Sequence, residues 1–471
     1  MDFQNIIKNH LKKYNQFTGR ATRLEFWYFV LFVLFVSFVI TIIKLLFLNQ
    51  LFLINRILLI FFLLLIIIPS IAVGTRRLHD INKSGWWQLL IFTGIGLIPL
   101  IFWWTKVGEK NNNKYGVAVK SLKTLKTRFI KYNSRGTSWK YNTSPSKDPF
   151  SFEFQIRKEP IIEEQIQNTA LCSYIMCENK TIIIDQLSPP SRFGALINNQ
   201  TQLYSMSLGK SLGGYLMAHA ISKGYIESLD QKLEDWPIAT NTLLENLSLK
   251  DVLNSAMGDQ DYFDSPKGIF RSSGRFPGNI NIKSIVSQEL LGSKASLKRY
   301  FYNQLSANVA LNYISFKTGY KFRDFLNDIM TKHVGLKNKL EFIHTGNNEE
   351  DGIIQSNFRA TRYDILRIGL AILKDWRNDN SIGKTLKNIY SNKISKKDYD
   401  LGRFEGKSIS YAGFFHTDYP NMIETVVGMH GTGGTSLLIN FDANRVVYAH
   451  SVYRDYNYDK IILNPIRNGT F

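Results

Sequence analysis

"LYSMSLGKSLGGYL" spans Leu203–Leu216, and its reading decides the fold of most of the chain. Ser207 and Lys210 stand three residues apart at the start of an apolar stretch. A serine ahead of an apolar run is a common helix N-cap. The same spacing also suits an activated nucleophile. Three residues is nearly one helical turn, so the lysine lies beside the serine. The helix start adds free N–H groups and a positive dipole end, and both favour a developing alkoxide. Only the rest of the chain separates the two readings.

Two further stretches bear on it. In "KRYFYNQLSANVALNYISFKTG" (Lys298–Gly319), Tyr302 leads a helical pattern that reaches Thr318-Gly319, with Gln304 two residues on and Tyr300 as a competing phenol. Taken alone, either tyrosine reads equally well as packing at a helix start. In "VVGMHGTGGTSLLINFDANRVVYAHS" (Val426–Ser451), His430 precedes Gly431, Thr432, Gly433 and Gly434, and a strand pair follows about the turn "DAN". Small residues there let a ligand lie along a strand edge and free an N–H for an oxyanion. A glycine-rich hairpin entry is the plainer reading of that stretch by itself.

In this order the three stretches resemble the motifs of serine hydrolases related to β-lactamases and penicillin-binding proteins: S-x-x-K at a helix start, a tyrosine motif, and K-T-G or H-x-G on an inner strand. "GYIESLD" (Gly224–Asp230) matches the exit from the first motif's helix. "LKDVLNSAMGDQDYFDSP" (Leu249–Pro266) resembles a segment of 6-aminohexanoate-dimer hydrolase-like members and aligns Tyr262 with a tyrosine near their active site. Two positions depart from the pattern: Gln304 where the family has Asn or Ser, and Ala256-Met257 where it has Thr-Ser. The resemblance implies attack by Ser207, proton transfer by Lys210 and Tyr302, and an oxyanion hole from the Ser207 N–H and a strand N–H, assigned to Gly433. It also implies substrate contacts at His430, Gly431, Tyr262 and Gln304. A histidine in place of the family's lysine is mostly neutral near pH 7, which weakens recognition of a penicillin carboxylate. An amidase or esterase acting on small or peptide-like acyl compounds is expected. A cell-wall D,D-peptidase or β-lactamase is the alternative, as is a hydrolase fold reused for envelope binding or sensing.

The N-terminal part is different. Three apolar runs, Phe26–Ile43, Ile57–Val73 and Trp86–Trp104, each have about the length that crosses a ~30 Å hydrocarbon core. The sequence therefore predicts three transmembrane helices. Lys8, Lys12, Lys13, Arg20 and Arg23 precede the first run, and Arg76, Arg77 and Lys83 lie between the second and third. The positive-inside rule puts both groups in the cytoplasm, and three spans then put the remainder outside it. Eleven basic residues against Glu109 alone over 105–147 pull the other way. "FTGRATRLEFWYF", "RRLHDINKSGWW" and "GEKNNNKYG" resemble a bacterial inner-membrane family, number 805 of the domains of unknown function, over about residues 10–117. Arg77, His79 and Asp80 read as a polar site at the membrane boundary or, more plainly, as an anchor and loop cap.

The expected fold is thus multi-domain. A helical membrane domain (1–117) and a basic linker (118–147) precede an α+β β-lactamase-like domain (148–471) whose antiparallel sheet is flanked by helices and a helical subdomain. Helical patterns are expected at 207–223, 242–256, 304–318 and 359–375. Residues 1–150 hold 21 basic and 5 acidic side chains, out of 58 and 38 in the chain. This charge flanks apolar runs and fills a linker, which suits a lipid bilayer and not nucleic acid. Cys172 and Cys177 are too few for a disulfide scaffold, and a local disulfide or two free thiols both fit. With eight scattered histidines and no HExxH or CxxC, neither a metal nor another cofactor is indicated.

Overall fold

The computed structural model describes residues 14–47, 52–109, 113–115, 122–135, 139–258, 281–294, 298–396 and 407–471. Two compact units divide between Leu125 and Lys126.

In the first unit, α1 (Arg23–Phe47) carries the first apolar run and α2 (Phe52–Asp80) the second. Leu31, Leu34, Phe35 and Phe38 of α1 point outward, as a lipid-facing helix requires. Among the described residues, Arg23–Ile42 is the one helix long and apolar enough to cross a membrane by length and composition. The third run departs from expectation. It breaks at Gly94, φ 70°, into a 3-10 helix (Gly85–Thr93) and α3 (Leu97–Thr105). At roughly 18 Å and 14 Å, neither covers a ~30 Å core.

The two halves also fold back on each other. The Trp87 and Trp103 rings lie 5.6 Å apart, and the Lys83 ammonium sits 4.3 Å over Trp103. The returning end is pinned beside the entry. Arg77 Nε donates to the Trp104 carbonyl at 2.9 Å, Arg23 Nη1 to that of Thr105 at 3.3 Å, and the Glu109 N–H to that of Asp80 at 2.8 Å. At the tip, Thr93 Oγ1 donates to the Leu90 carbonyl at 2.8 Å and accepts the Gly96 N–H at 3.0 Å, so the turn satisfies its own polar groups. The third run is thus not the continuous helix expected: it is a broken segment whose two ends lie beside the start of α1 and the end of α2. Asp80 is the clasp there, accepting from Arg20 Nε at 3.0 Å and Arg77 Nη1 at 2.8 Å.

The second unit has the expected α+β arrangement. Its strands are β1 (Lys140–Asn142), β2 (Glu153–Phe154), β3 (Leu171–Glu178), β4 (Thr181–Leu187), β5 (Leu203–Tyr204), β6 (Glu341–His344), β7 (Ile354–Ala360), β8 (Ile394–Ser395), β9 (Ser410–Ala412), β10 (Phe415–Thr417), β11 (Val426–Gly431), β12 (Thr435–Asn440) and β13 (Arg445–Ser451). The large sheet runs β2-β4-β3-β13-β12-β11-β10-β9-β8, antiparallel except for β2 with β4, and the small one runs β1-β6-β7-β5. The principal helices are α4 (Leu208–Ser222), α5 (Leu305–Lys317), α6 (Arg362–Asn378) and α7 (Ser381–Ser391). Three of the four expected helices thus form. Of 242–256, only Leu249–Leu253 is helical. The expected linker is partly folded, with a helix over Leu122–Asn133 and strand β1 paired to β6. Cys172 and Cys177 are buried free thiols.

Helix α4 is buried from Leu208 to Ala220, so it has no polar face. Its glycines record how closely it is enclosed. A Cβ on Gly209 would lie 2.1 Å from the Ser356 carbonyl oxygen of β7, and one on Gly214 2.0 Å from that of Gly413. Backbone cannot yield as a side chain does. Gly209→Ala is therefore expected to cost at least the ~1–3 kcal/mol of ordinary overpacking. Gly213→Ala, whose Cβ would meet only Leu311 at 3.6 Å, should be neutral or gain roughly 0.5–1 kcal/mol of helix propensity. Thermal denaturation of the two variants checks the contrast, and equal behaviour would contradict this packing.

Candidate active site

Ser207 stands immediately before α4 with helical backbone angles, and its side chain makes no capping bond. The plain N-cap reading therefore fails here. Met206, just ahead, has φ 51°. A left-handed conformation at a non-glycine residue stores of order 1–3 kcal/mol and is common where a side chain must be presented.

Lys210 is buried, and its Nζ lies 3.5 Å from Ser207 Oγ. Burial pushes its ammonium from the ordinary lysine range down to about 7. Desolvation disfavours the charged form, and the Ser207 hydroxyl and Gln304 amide that bond this amine are both neutral. A strong bond runs to Gln304 Oε1 at 2.6 Å. Gln304 in turn donates from Nε2 to Ser356 Oγ at 2.6 Å and to Asn308 Oδ1 at 3.1 Å. Gln304, expected to contact substrate, thus holds the lysine in place. The Lys210 Nζ also sits 4.9 Å from the centre of the Tyr302 ring. Tyr300 instead is buried with its ring 5.0 Å from that of Tyr411. Of the two candidate phenols, Tyr302 is the one beside the lysine.

The third motif forms β11 and the turn after it. A Cβ on Gly431 would meet Met206 Cβ at 2.9 Å and the Ser205 carbonyl at 3.2 Å, so this strand end abuts the loop that leads into Ser207. A Cβ on Gly433, φ 91°, would instead meet the backbone of Ser451 and Val452 at 3.0 Å. Of the two glycines, Gly431 is the one beside Ser207. His430 has both ring nitrogens engaged within the sheet, with Tyr419 Oη at 2.8 Å and Ser436 Oγ at 3.0 Å. Burial, then the nearby Arg454 and Lys396, hold it well below the usual imidazole range, so it is neutral. The expected substrate contact at His430 is not what the structure brings about: the ring is part of the sheet's polar interior. Tyr262 lies outside the described residues.

Residues that sequence reasoning missed line the same region. His416 is buried, with its ring 6.4 Å from Tyr302, 5.0 Å from Tyr411 and 4.8 Å from His430. Lys396 donates to Ser408 Oγ at 2.5 Å and lies 3.3 Å from His416 Nδ1. These come from β8–β10, far along the chain, and no local pattern marks them.

Comparison with known proteins separates the two units. A solved structure from Bacillus anthracis, named provisionally as a 6-aminohexanoate-dimer hydrolase, matches with a TM-score of 0.53 at 14% identity, over 70% of this chain and 89% of that one. At this identity the likeness shows a shared fold. At the other end, the inner membrane protein YhaI of Escherichia coli K12 is 37% identical over 113 residues, 22% of this chain and 87% of the relative. YhaH of the same organism is 35% identical over 118 residues, 22% of this chain and 88% of the relative. The model of the protein family of unknown function DUF805 matches residues 14–117, and through this segment the chain belongs to that family.

Proposed function

We propose that this protein is an inner-membrane serine hydrolase that cleaves an amide or ester through an acyl-enzyme on Ser207. The observation that carries the reading is the buried Lys210 amine beside Ser207 Oγ, with its proton affinity brought to about 7. A base poised near the operating pH is what proton transfer from a hydroxyl needs. As Ser207 Oγ bonds to the acyl carbon, its proton passes to Lys210 Nζ. The developing oxyanion is held by the N–H groups at the start of α4 and a backbone N–H from the β11 end near Gly431. Tyr302, beside the lysine, relays the proton to the leaving nitrogen or oxygen as that bond breaks. Water then attacks the ester, gives its proton back through the same groups, and releases the acid. The neutral, engaged His430 offers no cation for a substrate carboxylate. That favours uncharged or peptide-like acyl groups over penicillins.

The membrane unit attaches this chemistry to the bilayer, as expected of a relative of inner membrane proteins. A second element of the reading departs from the three-span expectation. Taking α2, which carries the second apolar run, as a crossing beside α1 and the third run as a returning hairpin, the chain leaves the membrane on the side it entered. The basic residues around that side favour the cytoplasm for it, against the outward placement expected from three spans. The cell-wall peptidase alternative loses its support accordingly.

An ester-type fluorophosphonate probe tests the chemistry. The adduct should map to Ser207 by mass spectrometry and vanish in Ser207→Ala. The labelling rate should rise with pH and level off above about 7, following deprotonation of Lys210. Labelling at Ser205 or Ser211, or none by any ester or amide probe, would overturn the assignment and leave a non-catalytic binding module as the reading.

A further inference from the structure

Three turns beyond the nucleophile, the far end of α4 carries His219. Its ring is almost wholly buried, at 1% exposure, and its Nε2 has no hydrogen-bond partner among the described residues. Two other groups converge on it. His333, from the turn after Asp328, meets the His219 ring edge-on with centroids 4.7 Å apart. Asp375, near the end of α6, is equally buried, with its Oδ2 2.8 Å and its Oδ1 3.1 Å from His333 Nε2. One ligating atom from each of the three lies within 4.8 Å of the others.

We propose that His219, His333 and Asp375 form a zinc site that ties the far end of α4 to α6. Two imidazoles and one carboxylate are a borderline-soft donor set that suits Zn2+ and not the all-oxygen sites of Mg2+ or Ca2+. The carboxylate is already oriented as a ligand should be. Tyr215 Oη donates to Asp375 Oδ2 at 2.5 Å, and Asn380 Nδ2 donates to Oδ1 at 3.1 Å. The same bonds, with that to His333, keep the Asp375 carboxyl below its ordinary range despite burial, so it is anionic. Burial brings His219 down to about 3, so its imidazole is neutral and its lone pair free at physiological pH. The His333 side chain is 35% exposed, which gives the ion an entry path and leaves a fourth position for water. On binding, Zn2+ takes a lone pair from each imidazole and one Asp375 oxygen. The proton now shared between His333 Nε2 and Asp375 then resides on His333 Nδ1, with no net change in protons.

A His–Asp–Tyr hydrogen-bond network without an ion accounts for His333 and Asp375. It leaves His219 Nε2 desolvated against them with nothing to bond, and the ion supplies its partner. The site lies about 18 Å along the helix from Ser207, from a 1.5 Å rise over twelve residues. An ion there is too far to touch the atoms reacting at Ser207, and the site stands or falls independently of the Ser207 chemistry.

The test uses the full chain in detergent without a histidine tag, stripped with EDTA and titrated with ZnCl2 by calorimetry. One zinc per chain is expected, together with a higher Tm and visible tetrahedral absorption on Co2+ substitution. His219→Ala and His333→Ala should each weaken binding at least ~100-fold, the upper range for losing even a partner of a metal ligand. If the buried His219→Ala variant fails to fold, the half-exposed His333→Ala carries the comparison. A folded wild-type chain that gives no zinc heat and no Co2+ bands would overturn the site. So would wild-type affinity in the His333→Ala variant.

Discussion

Lys210→Met is expected to abolish covalent labelling of Ser207 and, in the same molecule, to raise thermal stability. The loss follows from the proposed role of the lysine, whose Nζ lies 3.5 Å from Ser207 Oγ, as the base. Removing a proton-transfer group typically costs about 10²–10⁴-fold. The gain follows from its burial. The folded chain holds this amine at about 7 and the unfolded chain near 10.5, so between those values the unfolded state binds more protons. Stability therefore rises with pH across that window. The contribution is least unfavourable above 10.5, worsens as pH falls toward 7, and is flat below. At pH 7 the wild type thus carries almost the full penalty, of order 2–4 kcal/mol after discounting for relaxation. Methionine fills a similar volume without a charge to desolvate. Probe labelling and a melting curve at pH 7 and pH 10 check both halves, and the Tm gain should shrink at the higher pH. Undiminished labelling would remove lysine from the mechanism. A lower Tm at pH 7 would show that Gln304 and the surrounding dipoles compensate the amine.

What the sequence revealed of this site was what a local pattern can encode. S-x-x-K before an apolar run became α4, within a residue of the expected start and end. The Tyr302 pattern became α5, and the glycine-rich stretch became the β11–β12 turn. What stayed hidden was the pairing of side chains from separate elements. Gln304 looked like a substrate contact by its offset from Tyr302, yet its oxygen goes to Lys210 and its nitrogen to Ser356. His430 and His416 meet only because β10 and β11 pair. His219, His333 and Asp375 are brought together from three distant elements by helix packing. The helix expected at 242–256 failed for a related reason: Leu243, Leu244 and Leu247 are buried from turns, and only Leu249–Leu253, capped by Ser248, keeps helical form.

The third apolar run carries the last prediction. A hydropathy window over Trp86–Trp104 counts nineteen uncharged residues and reports a span. The same stretch contains "GIGLIP" (Gly94–Pro99), two glycines and a proline where a spanning helix would need its middle. The chain turns there, and Trp104, Thr105 and Glu109 return to Arg77, Arg23 and Asp80. On the proposed reading of two crossings, both ends of the membrane unit lie on one side. The charges agree with that count and conflicted with the odd one. Arg20, Arg23, Arg76, Arg77 and Lys83 share that end with Lys106, and ten more basic residues follow over 110–147. Lys44 and Arg56 are the basic residues between the first two apolar runs, on the opposite side. By the positive-inside rule the crowded side is expected to be cytoplasmic. A green fluorescent reporter fused after Phe471, which matures only in the cytoplasm, should therefore fluoresce, and an alkaline phosphatase fused at the same point should be inactive. The contrast between the two should be close to all-or-none. An active phosphatase with a dark fluorescent fusion would mean that the hairpin opens into a third span, and would return cell-wall substrates to consideration. The expected result confines the hydrolase to amides and esters that the cytoplasm or the inner leaflet supplies.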